Sequence, residues 1–199
     1  MRGIVSAEKK KFKAASSISC KVQTRDKFTV DMKLDCNEII PGTLWVGAYL
    51  QPEDVRELRH AGITVVISLQ SDDDLETYCI SIPMLTNALQ SARIRLVRIP
   101  IQDFSKEAIE QKLPAAVSRI LSELESADAR VYLHCTAGIN RAPTTAAAYL
   151  IFSRNMAARE AWGFLTARRH CSPYLDVLER FSASLNSGTL GSSRKESNL

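Results

Sequence analysis

Along the middle of the chain, short apolar runs alternate with longer stretches in which apolar residues recur every three or four positions. The runs GTLWVGAYL (42–50), ITVVISL (63–69), IRLVRIPI (94–101) and VYLHC (131–135) read as strands, the second as a buried one. Between and after them the helical period dominates. QPEDVRELRHAG (51–62) predicts a helix with Pro52 in its first turn and Gly62 as its stop. TYCISIPMLTNALQSA (77–92) predicts a helix in its second part, and residues 105–127 a long one that Pro114 should kink. PTTAAAYLIFSR (143–154), AAREAWGFLTARR (157–169) and PYLDVLERFSASL (173–185) complete the set. The alternation implies an α/β fold: one domain with a central, mainly parallel sheet flanked by helices. Its ligand site should lie beyond the carboxyl ends of the strands.

Charge changes the picture at the termini. Residues 1–27 carry eight basic and two acidic side chains and residues 186–199 two and one, so the chain's net +4 conceals a middle, 28–185, at −3. We expect 1–27 to be a basic, disordered or transit segment, 28–185 the folded domain, and 186–199 a Ser/Gly-rich disordered tail. A folded part of negative sign argues against nucleic-acid binding. No apolar stretch approaches the roughly 20 residues of a membrane-spanning helix. Five cysteines without a C-x-x-C pair and three histidines without ligand spacing indicate neither a zinc site nor a disulfide framework. We therefore expect free thiols, no metal and no cofactor.

The chemistry concentrates in HCTAGINR (134–141), a strand-to-helix junction. Such a loop aims backbone amides and a helix N-terminus at one point beside Cys135, and all of them, with Arg141, would favour the thiolate. The amides from Thr136 through Ala137, Gly138, Ile139 and Asn140 to Arg141, with a guanidinium that can bind two oxygens at once, suit phosphate. Gly138 permits a backbone conformation closed to other residues. His134 is expected to support the loop as a satisfied core histidine rather than to transfer protons. Expelling an alkoxide from phosphorus also needs a proton donor, and Asp103, between a strand and a helix, is the best candidate. It competes with a plain N-cap reading of the same residue, and with Asp72, Asp73 and Asp74, which read as a solvated or binding loop.

HCTAGINRAP resembles the His-Cys-x5-Arg loop of the protein tyrosine phosphatase superfamily. Its mid-chain position resembles the dual-specificity branch, in which a general-acid aspartate precedes the cysteine about as far as Asp103 precedes Cys135. Within that branch, CTAG-x-x-RAP, with Ala142 and Pro143 after the arginine, is similar to plant and algal phosphoglucan phosphatases of the starch-excess type. So are LQPEDVRELRHAGI, SLQSDDDLETY, DFSKEAIEQKLPAAV and RRHCSPYLDVLER, and the likeness covers about residues 44–182. It implies a metal-free phosphatase that forms a cysteinyl-phosphate on starch-like glucan, in the chloroplast, with the cytoplasm as the alternative.

Phe104 and Tyr78 match aromatic positions of that family, which would stack on sugar rings; Trp45 and Trp162 are assigned to the core. Thr77, Cys79 and Asn140 depart from the family's pattern, and Ser68 stands where some relatives carry a regulatory cysteine. The short flanks leave no room for a carbohydrate-binding module, so the domain, expected to be a monomer, would hold glucan by itself. The competing enzyme reading is a dual-specificity phosphatase acting on phosphoproteins or phosphoinositides. An inactive phosphate-binding adaptor would have lost Cys135 or Asp103, and both are present.

Overall fold

The computed structural model describes residues 34–187. The expectations for residues 1–27, and for the tail beyond Ser187, lie outside the described residues. The chain orders its elements as β1 (Cys36–Ile40), β2 (Leu44–Gly47), a 3-10 turn (Pro52–Asp54) leading into α1 (Val55–His60), β3 (Val65–Ser68), α2 (Asp72–Thr77) and α3 (Ile82–Ser91). Then come β4 (Arg95–Arg98), α4 (Lys106–Glu123), β5 (Val131–His134), α5 (Arg141–Arg154), α6 (Ala158–Thr166) and α7 (Leu175–Asn186). The five strands lie in the order β1-β2-β5-β3-β4. Every pairing is parallel except β1 with β2, which makes the sheet mixed and mainly parallel, as expected.

Alternation along the strands divides the core in two. Val65, Ile67, Val131 and Leu133 face a larger cluster containing Ile109, Leu113 and Ile120 of α4 and Ala146, Ala147 and Leu150 of α5. Val66 and Tyr132 face a smaller one made with Val55 and Leu58 of α1 and Leu85 and Leu89 of α3. Trp162 packs against the first and Trp45 against the second, each half-buried. Helix α5 is buried on almost every side, and its alanines allow α4, α6 and α7 to approach closely.

Three expectations change. Strand β1 is present although CNEII lacks clean alternation; it is an edge strand paired through the turn at Gly42 (φ +68°) and interrupted by a register shift between Glu38 and Ile40. The acids 72–74 do not form a loop but open α2, whose Ser71 cap accepts from the Asp74 amide while the Asp74 carboxylate accepts from the Ser71 amide. Among the described cysteines, Cys135 and Cys171 are free, whereas Cys79 is disulfide-bonded, contrary to the expectation of thiols throughout.

Candidate active site

Strand β5 ends at His134, and α5 begins at Arg141. The six residues between them form a loop whose carbonyls all have partners outside the anion site. Cys135 O faces His134 Nδ1 (3.1 Å), and Thr136 O accepts from the Tyr49 amide (3.0 Å). Ala137 O and Gly138 O accept from Arg169 (3.3 and 2.8 Å), Ile139 O from the Ser172 amide (2.8 Å), and Asn140 O from the Thr144 amide (2.9 Å). A peptide whose carbonyl points out turns the next N–H in. Among the described residues, no amide from Thr136 to Arg141 has a protein acceptor. The result is a cup of donors at a helix N-terminus, which is an anion site. Gly138 is needed there twice over: its φ is +66°, and a Cβ would lie 2.5 Å from Arg169 Nη2 and 2.6 Å from the Gly47 backbone.

Arg141 is only 1% exposed and has four neighbours around its guanidinium. Nη1 donates to Asp74 Oδ2 (2.6 Å) and Ile101 O (2.8 Å); Nη2 donates to Thr136 Oγ1 (3.0 Å) and Asp74 Oδ1 (3.3 Å) and pairs with Asp103 Oδ2 (2.8 Å). Its Nε, buried in the same place, has no partner among the described residues. A buried donor left without an acceptor is costly unless an anion supplies one. Thr136 Oγ1 closes the network by donating to Asp74 Oδ1 (2.9 Å) and accepting from Gln70 Nε2 (3.3 Å). Burial alone would raise the Asp74 pKa, but hydrogen bonds from Arg141 and Ser71 outweigh it and hold the carboxyl at about 2. For Arg141, burial works against the charge, and the hydrogen bond to Asp74 together with the charges around it raises its pKa.

The three consecutive acids thus have three different duties. Asp72 pairs with Arg98 at the end of β4 (2.7 Å), Asp73 accepts from Gln102 in the loop before α4 (3.1 Å), and Asp74 holds Arg141. Asp103 follows Gln102 and does not cap α4; Ser105 does, accepting from the Ala108 amide (3.1 Å). The carboxylate of Asp103 is instead turned toward Arg141 and accepts from the Phe104 amide (3.0 Å).

Phe104 has φ +56° and is 89% exposed, an uncommon conformation that lifts its ring out of the fold. Tyr78, 46% exposed and packed near Tyr49, stands on the same cleft. That cleft, of about 380 Å³, brings Cys135, Thr136, Ala137, Ile139, Asn140, Arg141, Asp103, Phe104 and Tyr78 together. His134 lies behind the loop, fully buried. Desolvation, aided by the Arg141 charge, lowers its pKa to about 4 against the opposing effect of the Cys135 carbonyl. It is neutral at physiological pH, and among the described residues its Nε2 has no partner, so it is not the fully satisfied histidine expected.

Two members of the site were not singled out from the sequence. The sequence places Asp74 with its neighbours in a solvated or binding loop, although Ser71-x-x-Asp74 is a legible capping pattern. Arg169 carried no local signal.

Residues 44–180 match the family model of the dual specificity phosphatase catalytic domain. The chain is 32% identical over 160 residues to an amyloplastic phosphoglucan phosphatase of Castanea sativa, covering 79% of this chain and 42% of that protein. It is 29% identical to a chloroplastic phosphoglucan phosphatase of Arabidopsis thaliana, covering 65% and 22%, and 30% identical to human dual specificity protein phosphatase 2, covering 66% and 37%. The chain therefore spans less than half the length of these relatives. Among solved structures it is similar to PTPMT1 in complex with PI(5)P (TM-score 0.65, 23% identity, 77% of this chain and 98% of that one). It is also similar to the human tyrosine phosphatase-like serine/threonine/tyrosine-interacting protein (0.63, 22%, 80% and 100%); both likenesses show the fold. With the family model matching well over half its length, the chain belongs to the dual-specificity phosphatases, cysteine-based phosphoric monoester hydrolases of the protein tyrosine phosphatase fold.

Proposed function

We propose that Cys135 is the nucleophile, Arg141 and the amides of residues 136–141 the phosphate clamp, and Asp103 the general acid, acting on phosphate monoesters of starch-like glucan. The cup of inward amides would hold the non-bridging oxygens, and the unpartnered Arg141 Nε supplies a further donor. A phosphate seated on that edge of the guanidinium competes for the Asp103 contact and frees the carboxyl to face the leaving oxygen. The Cys135 thiolate then forms the S–P bond as the P–O bond to the sugar breaks, and the proton on Asp103 passes to that oxygen. In the second half, water attacks phosphorus, Asp103 takes its proton, and the S–P bond breaks to return thiolate and inorganic phosphate. The steps need only protein groups and water, so activity should persist in EDTA.

The observation that carries the glucan reading is Phe104, an almost fully exposed ring beside the acid, with Tyr78 on the same cleft. Flat aromatic faces next to a charged pocket suit sugar rings bearing phosphate. The names of the two plant relatives point the same way, to phosphoglucan and to a plastid. The test is phosphate release from phosphorylated amylopectin, a phosphopeptide and a phosphoinositide, with Cys135→Ser as control. Faster release from amylopectin, absent in the variant, is expected. A preference for phosphopeptide would replace the glucan by a phosphoprotein, and undiminished turnover by Cys135→Ser would remove the covalent mechanism.

A further inference from the structure

At the apex of the loop, farthest from both β5 and α5, two peptide groups decide whether the cup exists. The Ala137 carbonyl must point out for the Gly138 N–H to point in, and the Gly138 carbonyl must point out for the Ile139 N–H to do so. Gly138, at φ +66°, has the freedom to turn either way. Turned inward, either carbonyl would present its oxygen to the phosphate oxygens.

Among the described residues, one side chain donates to both carbonyls: Arg169, through Nε to Gly138 O (2.8 Å) and Nη2 to Ala137 O (3.3 Å). Arg169 is 6% exposed and lies just beyond α6, where its amide donates to Leu165 O (3.0 Å). The other arm of its guanidinium, Nη1, donates to Asp35 Oδ1 and Asn37 Oδ1 at β1 (both 3.0 Å). The same connection braces the loop again, since the Ser172 amide donates to Ile139 O and Asn140 Nδ2 donates to Ser172 O, both at 2.8 Å. The guanidinium therefore spans from the edge strand to the loop apex, its planar fork matched to acceptors on both sides.

We propose that Arg169 is a positioning residue for the phosphatase reaction: anchored by Asp35 and Asn37, it holds the Ala137 and Gly138 carbonyls outward so that the next two amides face phosphate. This rests on the loop being the phosphate site, which Cys135→Ser tests separately through loss of aryl phosphate turnover. Arg169→Lys keeps the charge but not the fork. It should weaken vanadate inhibition and lower kcat/KM for p-nitrophenyl phosphate by about tenfold or more each, the worth of one charge-assisted hydrogen bond. A role confined to stability would lower the melting temperature and leave the vanadate constant of the folded protein unchanged. The double variant Asp35→Ala/Asn37→Ala alters only exposed side chains and should shift both quantities the same way, by about threefold. Vanadate constants within about twofold of the parent in the folded variants would overturn the proposal; if Arg169→Lys does not fold, the double variant decides alone.

Discussion

Asp74→Asn removes one charge and almost no volume from the carboxylate on which Arg141 rests. Asp74 is 7% exposed and takes both Arg141 nitrogens, the Thr136 hydroxyl and the Ser71 cap. Holding its carboxyl at about 2 rather than 3.8 corresponds to about 2 kcal/mol of preference for the ionised, folded form. Breaking one partner of a buried pair costs about 3–5 kcal/mol, and here Asp103 remains as a second counter-charge, so a loss of about 2–4 kcal/mol is expected. At about 2–4 °C per kcal/mol for a domain of this size, the melting temperature should fall by about 4–16 °C. Because the folded carboxyl is depressed, its contribution is complete above about pH 4 and is lost as pH falls through about 2, so parent and variant stabilities should converge over that window. Arg141 also loses the support that orients its Nε. We expect kcat/KM for p-nitrophenyl phosphate to fall about 10–100-fold, or about 1.4–2.7 kcal/mol of transition-state stabilisation. Thermal melts by circular dichroism, with kinetics run well below the variant's melting temperature, measure both. A variant that melts within a degree of the parent and keeps aryl phosphate turnover within about twofold would show that Asp74 does not hold the arginine.

Asp103→Asn should lower turnover of sugar or alkyl phosphates by about 10²–10⁴ and of aryl phosphates far less, because an aryl leaving group needs little protonation; equal losses on both would make the residue structural. Phe104→Ala with Tyr78→Ala should cut phosphoglucan hydrolysis by one to two orders of magnitude, at about 0.5–1.5 kcal/mol per ring, and spare p-nitrophenyl phosphate; parallel losses would count against sugar stacking. His134, held at about 4 by burial against an ordinary 6.5, binds fewer protons folded than unfolded between those values. Stability should therefore fall as pH is lowered from about 6.5 through about 4, by up to about 3 kcal/mol, and His134→Gln should flatten that part of the curve in urea melts at stepped pH; an unchanged curve would refute it.

Cys135, Arg141 and Gly138 could be picked out together from the sequence because they share one loop of characteristic spacing. The apolar periods likewise marked β3, β5 and the helices other than α2, since each element's pattern records which of its faces is buried. Asp103 was legible as a residue at the carboxyl edge of a strand, though only the fold shows its carboxylate turned to Arg141 while Ser105 caps α4. Strand β1 was missed because an edge strand buries too little to impose alternation on CNEII. Asp72, Asp73 and Asp74 are chemically identical and adjacent, and although Ser71-x-x-Asp74 marks the third as a cap partner, nothing local says that it reaches Arg141. Successive helical residues point about 100° apart, so only the packing of α2 against the phosphate loop decides that Asp74 turns inward to Arg141, 67 residues away, while Asp72 stays exposed. Arg169 is the same case, joining β1 to the loop apex across separations of 134 and 31 residues. The sequence determined the elements and the reactive loop because those depend on neighbours along the chain. Tertiary structure alone chose the side chains that hold the loop in shape, because a buried charge is placed by the acceptors that surround it in space.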